Sequence, residues 1–189
     1  MRISFVLEAD DIVRFHAALA RAERLADCMD ECEIVETAKE ALNTLPLASA
    51  PSYVRQRLVC VQQMILMLED EAWCLQADER REVLRTLIYF ADPEDLIPDA
   101  VVVIGLLDDA IMLELLLRRL RHVIDAYVDF CNYRRDLQSD GTLDRMRLSA
   151  LLARRRDALR VRMRRRIARV RPVRGVPALP PPPPATPQA

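Results

Sequence analysis

The stretch PSYVRQRLVCVQQMILMLEDEAWCL, residues 51–75, has the clearest helical period in the chain. Its apolar residues recur at alternating spacings of four and three, at Val54, Leu58, Val61, Ile65, Leu68, Ala72 and Leu75. This period places them on one side of an α-helix, with polar residues elsewhere on its surface. The stretch therefore predicts an amphipathic helix that buries one stripe and continues to Leu75.

Similar helical spacing recurs on both sides of this stretch, over residues 12–45, 78–91, 106–139 and 143–171. Leu, Ala, Arg and Glu dominate, glycine occurs three times, and aromatic residues make up 5% of the chain. Because strand-forming residues are too few for a β core, we predict an all-α, antiparallel helical bundle around a Leu/Ile/Val core. The two ends of the chain differ from this helical pattern. The alternation of Ile3, Phe5 and Leu7 keeps a short N-terminal strand as an alternative, and the Pro-rich C-terminus predicts disorder or polyproline II.

Charge divides the chain more sharply than its net value of −1 suggests. Residues 1–142 carry a net charge of −12, whereas residues 143–189 carry +11. Together with the periodicity, this predicts an N-terminal helical region at 1–78 and a motif region at 79–140 that packs with it as one domain. A basic, Arg-rich helix at 141–171 and a Pro-rich tail at 172–189 follow.

A run of aspartates and prolines interrupts the apolar pattern between residues 89 and 109. A carboxylate beside a Val/Ile/Leu run is costly unless it caps a helix, pairs with a cation or binds a ligand. The segment therefore has a specified local structure. Its candidate residues are Asp92, Pro93, Asp95, Pro98, Asp99, Gly105, Asp108 and Asp109.

The same segment resembles the signature of a YkvA-like bacterial family of unknown function. The residues that carry the resemblance are Tyr89, Pro93, Asp95, Ile97, Pro98 and Asp99, followed by Gly105, Asp108 and Asp109. One position departs from the family pattern: Val102 and Val103 stand where a second Ile-Pro is usual. The resemblance covers about residues 80–125 and implies no established activity; relatives are often labelled membrane proteins.

Two interpretations of the aspartates remain open. In the first, which is structural, carboxylates of the segment cap helix ends or pair with arginines. Capping explains Asp92, Asp95 and Asp99, which suits an Asp-Pro pair at a helix start, but it gives Asp108 and Asp109 no role. In the second, Asp95, Asp99, Asp108 and Asp109 supply oxygen ligands to a hard divalent cation. The first is favoured, so no cofactor is predicted, with a divalent metal as the alternative.

The basic helix carries Leu152, Leu159 and Met163 on one side. Its candidate anion-binding residues lie on an adjoining face: Arg154, Arg155, Arg162, Arg165, Arg166 and Arg169. These arginines suit the acidic body of the protein, an anionic membrane surface, or nucleic acid, although no aromatic residue is interleaved for base stacking.

We therefore expect a non-enzymatic helical interaction protein that binds a protein partner or a second copy, with no small-molecule substrate identified. For the basic helix, packing on the acidic body of the protein is favoured, and membrane-peripheral attachment through it stays open. A metal-dependent enzyme and a nucleic-acid-binding protein are the alternatives. Five cysteines without a Cys-x-x-Cys pair and an N-terminus interrupted early by acidic residues predict a cytoplasmic protein, peripheral to the inner membrane if the basic helix binds lipid.

Overall fold

The computed structural model describes residues 9–45, 51–91, 105–139 and 144–169. These ranges contain six α-helices and no strand. They are α1 (Ala9–Ala26), α2 (Glu31–Thr44), α3 (Ser52–Glu69), α4 (Ala77–Phe90), α5 (Gly105–Ser139) and α6 (Arg145–Arg169). The all-α prediction is confirmed. The open N-terminal strand and the Pro-rich tail lie outside the described residues.

Helices that pack together run mostly antiparallel, as predicted. The α1–α4 pair is joined near one end by Phe15 and Tyr89, whose ring centroids are 5.7 Å apart, and near the other by the ion pair of Asp27 and Arg81. The α3 and α5 helices instead run parallel. Near the start of α3, Arg57 pairs with Glu114 of α5, and just after the end of α3, Asp70 pairs with Arg134, which lies later in α5.

One hydrophobic core joins the six helices. Its largest fully buried side chains are Trp73, Phe130, Ile34, Met64, Met67, Leu87, Val61 and Val83. Trp73 lies where α3, α5 and α6 meet, with its ring 5.2 Å from Phe130 and 5.6 Å from Tyr127. Most of the predicted stripe of α3 is buried in this core or in a small cluster of Val54 and Leu58 beside it.

The prediction that α3 continues to Leu75 is wrong, because the helix ends at Glu69. Asp70 is the cause: its Oδ1 accepts hydrogen bonds from the backbone N–H groups of Ala72 and Trp73, 3.1 and 3.3 Å away. A short carboxylate side chain can replace helical hydrogen bonds in this way and close a turn. Cys74 then takes a positive φ of 51°. We call residues 70–76 the α3–α4 turn.

Candidate functional site

Most of the predicted aspartate motif lies outside the described residues. This applies to Asp92, Pro93, Asp95, Pro98 and Asp99. Gly105 is the first residue of α5, and Asp108 and Asp109 fall within that helix, although their side chains are outside the description. Among the described side chains, no group of three or more His, Cys, Asp or Glu residues could hold a metal ion. The metal interpretation therefore stays a prediction.

The basic helix α6 is docked along the bundle by its apolar side. Leu152, Leu159 and Met163 are buried in the shared core. Arg155 lies over the ring of Tyr133 in α5, 5.1 Å from its centroid, and Arg162 is 3.8 Å from the carboxylate of Asp129. These contacts fix α6 antiparallel to α5 and settle which of its faces remains in solvent.

Two arginines of α6 hold it to the backbone of the α3–α4 turn. Arg160, only 9% exposed, donates from Nη2 to the carbonyl oxygens of Trp73 and Cys74 and lies over the Trp73 ring at 5.6 Å. Arg156 donates to the carbonyl of Ala72 at 3.3 Å. Guanidinium donors therefore satisfy three successive carbonyls that the end of α3 leaves outside a helix.

The α3–α4 turn is held from its other side by α5. The carboxylate of Asp70 is 2.7 Å from Nη1 of Arg134 and accepts a hydrogen bond of 3.1 Å from the hydroxyl of Tyr127. That hydroxyl also contacts the carbonyl of Leu66 at 3.2 Å. Burial, then the neighbouring Cys131 and Asp70, raise the pKa of Tyr127, so it stays a neutral donor at physiological pH. The turn thus links α3, α4, α5 and α6.

Glu79, in the first turn of α4, is an acidic group close to the charges of Arg160 and Arg164 in α6. Its Oε2 is buried and has no hydrogen-bond partner among the described residues. Burial raises the pKa of Glu79, while a backbone hydrogen bond at Gln76 and the charges of Arg160 and Arg164 act in the opposite direction. The carboxylate therefore balances part of the basic helix at a cost in desolvation.

The six predicted anion-binding arginines separate into three groups. Arg154, Arg162, Arg165 and Arg166 are exposed. Arg155 is partly covered where it lies over Tyr133. Arg169 is the last residue of α6, and its side chain is outside the description. Arg164, which is also exposed, extends the basic surface. We call Arg154, Arg162, Arg164, Arg165 and Arg166 the arginine face.

Sequence reasoning did not assign a role to Arg156 and Arg160. A signal was present: Arg156 lies four residues after Leu152, and Arg160 lies three residues before Met163. Both positions border the apolar stripe, so their long side chains were placed to reach the body of the protein. Their partners, 84 to 87 residues away along the chain, could not be inferred from local spacing.

The comparisons with known proteins identify one segment of the chain. Residues 82–115 match the model of a family described as "Protein of unknown function (DUF1232)". This match confirms the resemblance to a family of unknown function and covers the connection from α4 to α5. No curated protein and no solved structure matches the chain.

No helix in the described ranges has the length and apolar character needed to cross a bilayer.

Proposed function

We propose that the protein is a non-enzymatic helical interaction protein that adheres to anionic membrane surfaces through the arginine face of α6. The observation that carries the proposal is the division of α6: its apolar stripe is buried in the bundle, while the five arginines of the arginine face are exposed, with Arg162 3.8 Å from Asp129 of α5. Asp157, the acidic residue within α6, is already 3.2 Å from Arg156. The arginine face therefore carries positive charge that acids of the same helix do not neutralise.

The docking of α6 supports an electrostatic mode for the proposed attachment. A basic amphipathic helix usually binds lipid by inserting its apolar side among the acyl chains. In this protein Leu152, Leu159 and Met163 are committed to the core. Attachment then depends on electrostatic attraction, at about 1 kcal/mol for each arginine near an anionic surface. Such binding weakens as salt is added.

Two apolar side chains favour lipid over nucleic acid as the anionic surface. Val161 is 48% exposed and lies seven residues after Arg154 and four before Arg165, which places all three on one helical face. Met146, near the start of α6, is 84% exposed. These groups can contact the lipid interface. By contrast, α6 contains no aromatic residue on which a base could stack.

Vesicle co-sedimentation tests the proposal. The full-length protein should bind vesicles that contain phosphatidylglycerol and should not bind vesicles of phosphatidylcholine alone. The variant Arg162→Gln/Arg165→Gln/Arg166→Gln should lose about 3 kcal/mol of binding free energy, or roughly 100-fold in affinity. The matched control Arg24→Gln/Arg55→Gln/Arg135→Gln removes the same charge from exposed positions on other helices and should bind nearly as well as the wild type.

Trp73 provides a second readout in the same experiment, since it is the single tryptophan and is packed against Arg160 of α6. Its emission should not change on vesicle binding if α6 stays docked. Equal losses in the two triple variants would contradict the proposal. Tight binding to duplex DNA without vesicle binding, lost in the α6 variant, would assign the arginine face to nucleic acid instead.

A further inference from the structure

A crevice between α3 and α5 lies outside the basic helix and outside the aspartate motif. Its volume is about 260 Å³. The residues that define it are Arg57, Cys60, Glu114, Leu117, Arg121 and Ile124. Pockets that hold drug-sized ligands usually start at about 300 Å³. The crevice is therefore of a size for a small molecule.

One wall of the crevice is held rigidly by Arg57. Its Nη2 and Nε atoms are 2.6 and 3.0 Å from Oε2 of Glu114. Its guanidinium also stacks on the ring of Tyr53 at 3.6 Å and donates to the Tyr53 carbonyl at 3.3 Å. These contacts fix the wall before any ligand arrives, which lowers the entropic cost of binding.

The opposite wall of the crevice gives it a net positive charge. Arg118 and Arg121 lie one turn apart on α5, and Arg118 shares Glu114 with Arg57 at 3.3 Å. Arg121 makes no ion pair with any described residue, although Asp125 also lines the crevice. Three arginines against two carboxylates leave one positive charge. Burial raises the pKa of the Cys60 thiol, so the thiol is neutral at pH 7 and does not repel an anion.

The floor is apolar. Leu117 and Ile124 are each 6% exposed and form it together with Cys60. A ligand that satisfies both surfaces carries one negative charge, for the guanidinium of Arg121, which no described acid pairs with, and a short apolar body. We propose that the crevice binds a small organic monoanion, a short-chain carboxylate, with its carboxylate at Arg121 and its chain on Leu117 and Ile124.

Cys60 makes the proposal testable on the unmodified protein. Hexanoate bound in the crevice should shield this thiol from N-ethylmaleimide, with modification followed by peptide mass spectrometry. At ten times its dissociation constant, hexanoate should slow the reaction of Cys60 about tenfold. Cys28, which is exposed in the α1–α2 connection and does not line the crevice, is the internal reference and should react at an unchanged rate.

Ligand analogues and arginine variants test whether the carboxylate of hexanoate binds at Arg121 and its alkyl chain on the apolar floor. Hexanamide, which is neutral and of similar shape, and inorganic phosphate, which lacks an apolar body, should protect at least tenfold less well than hexanoate. Arg121→Gln should abolish protection, whereas Arg135→Gln, an exposed arginine later in α5, should keep it. Hexanoate should also raise the midpoint of thermal unfolding of the wild type and not of Arg121→Gln.

Equal protection by hexanoate and hexanamide, protection that survives Arg121→Gln, or the absence of both protection and a thermal shift would overturn the assignment. None of these results bears on vesicle binding by α6, because the crevice shares no residue with the arginine face.

Discussion

Replacing Arg160 with methionine tests whether α6 is an integral part of the bundle. The guanidinium donates to the carbonyls of Trp73 and Cys74 and lies over the Trp73 ring. Hydrogen bonds from a charged group contribute about 1.5–3 kcal/mol, and a partly buried cation–π contact adds about 0.5–2 kcal/mol. Methionine keeps most of the apolar stem and removes the desolvation cost of a buried charge, which offsets part of the loss.

We therefore expect Arg160→Met to lower the free energy of unfolding by about 1–3 kcal/mol, or roughly 3–9 °C in the midpoint for a chain of this size. Urea denaturation followed by Trp73 fluorescence measures both the loss and the native environment of the ring. The control Arg165→Met removes an exposed arginine from the same helix and should change stability by no more than about 0.5 kcal/mol.

A third variant separates charge from geometry. Arg160→Lys keeps the positive charge but cannot offer the same planar donor group to two carbonyls, so its stability should lie between those of the wild type and Arg160→Met. This role of the Arg160 guanidinium is contradicted if Arg160→Met and Arg165→Met are equally stable. It is also refuted if Arg160→Lys matches the wild type, because charge alone would then account for the contact.

Two other predictions concern acidic groups. Burial holds the pKa of Glu79 above its usual value in the folded protein, so ionisation costs stability as pH rises from the unfolded pKa through the folded one. Glu79→Gln should therefore raise the urea midpoint at pH 7, and this gain should disappear below about pH 4. Glu71→Gln, at an exposed position, is the control. A gain that persists in acid would contradict the raised pKa of Glu79. For the aspartate motif, a purely structural role predicts that Asp108→Asn/Asp109→Asn lowers the thermal midpoint and that millimolar Mg²⁺, Mn²⁺ or Ca²⁺ has no effect on the wild type. A metal-dependent rise that the variant loses would instead make these residues ligands.

The helices were predictable because each has a strong local signal. The stripe from Val54 to Leu68 is buried as its spacing requires, and α4 ends at Phe90, just before Asp92-Pro93. The end of α3 was not predictable in this way, since Ala72 and Leu75 keep the helical period beyond Asp70. The hydrogen bonds that the Asp70 carboxylate accepts from the backbone N–H groups of Ala72 and Trp73 outweigh that period, and no spacing rule shows which aspartate will accept them.

The candidate site was predictable only in part, for a related reason. Helical spacing separates the leucines of α6 from its arginines, but it cannot show which arginines meet solvent. Which arginines are buried depends on where the chain has backbone carbonyls without a helical hydrogen bond, and these carbonyls lie in the turn that Asp70 starts. Arg160 has the same chemistry as Arg165, yet one is buried against Trp73 and the other is exposed.

The division of α6 also explains why docking and anion binding need not compete. Arg156 and Arg160 use their donors on the α3–α4 turn, and Leu152, Leu159 and Met163 fill the core, whereas the arginine face is exposed and open to a polyanion. Insertion of α6 into a bilayer would require breaking three arginine–carbonyl contacts and exposing three apolar side chains at once. An anionic surface that attracts only the arginine face makes the same contacts whether α6 is docked or undocked, so its binding does not favour the undocked state. Electrostatic attachment of an intact bundle is therefore the mode that this architecture supports.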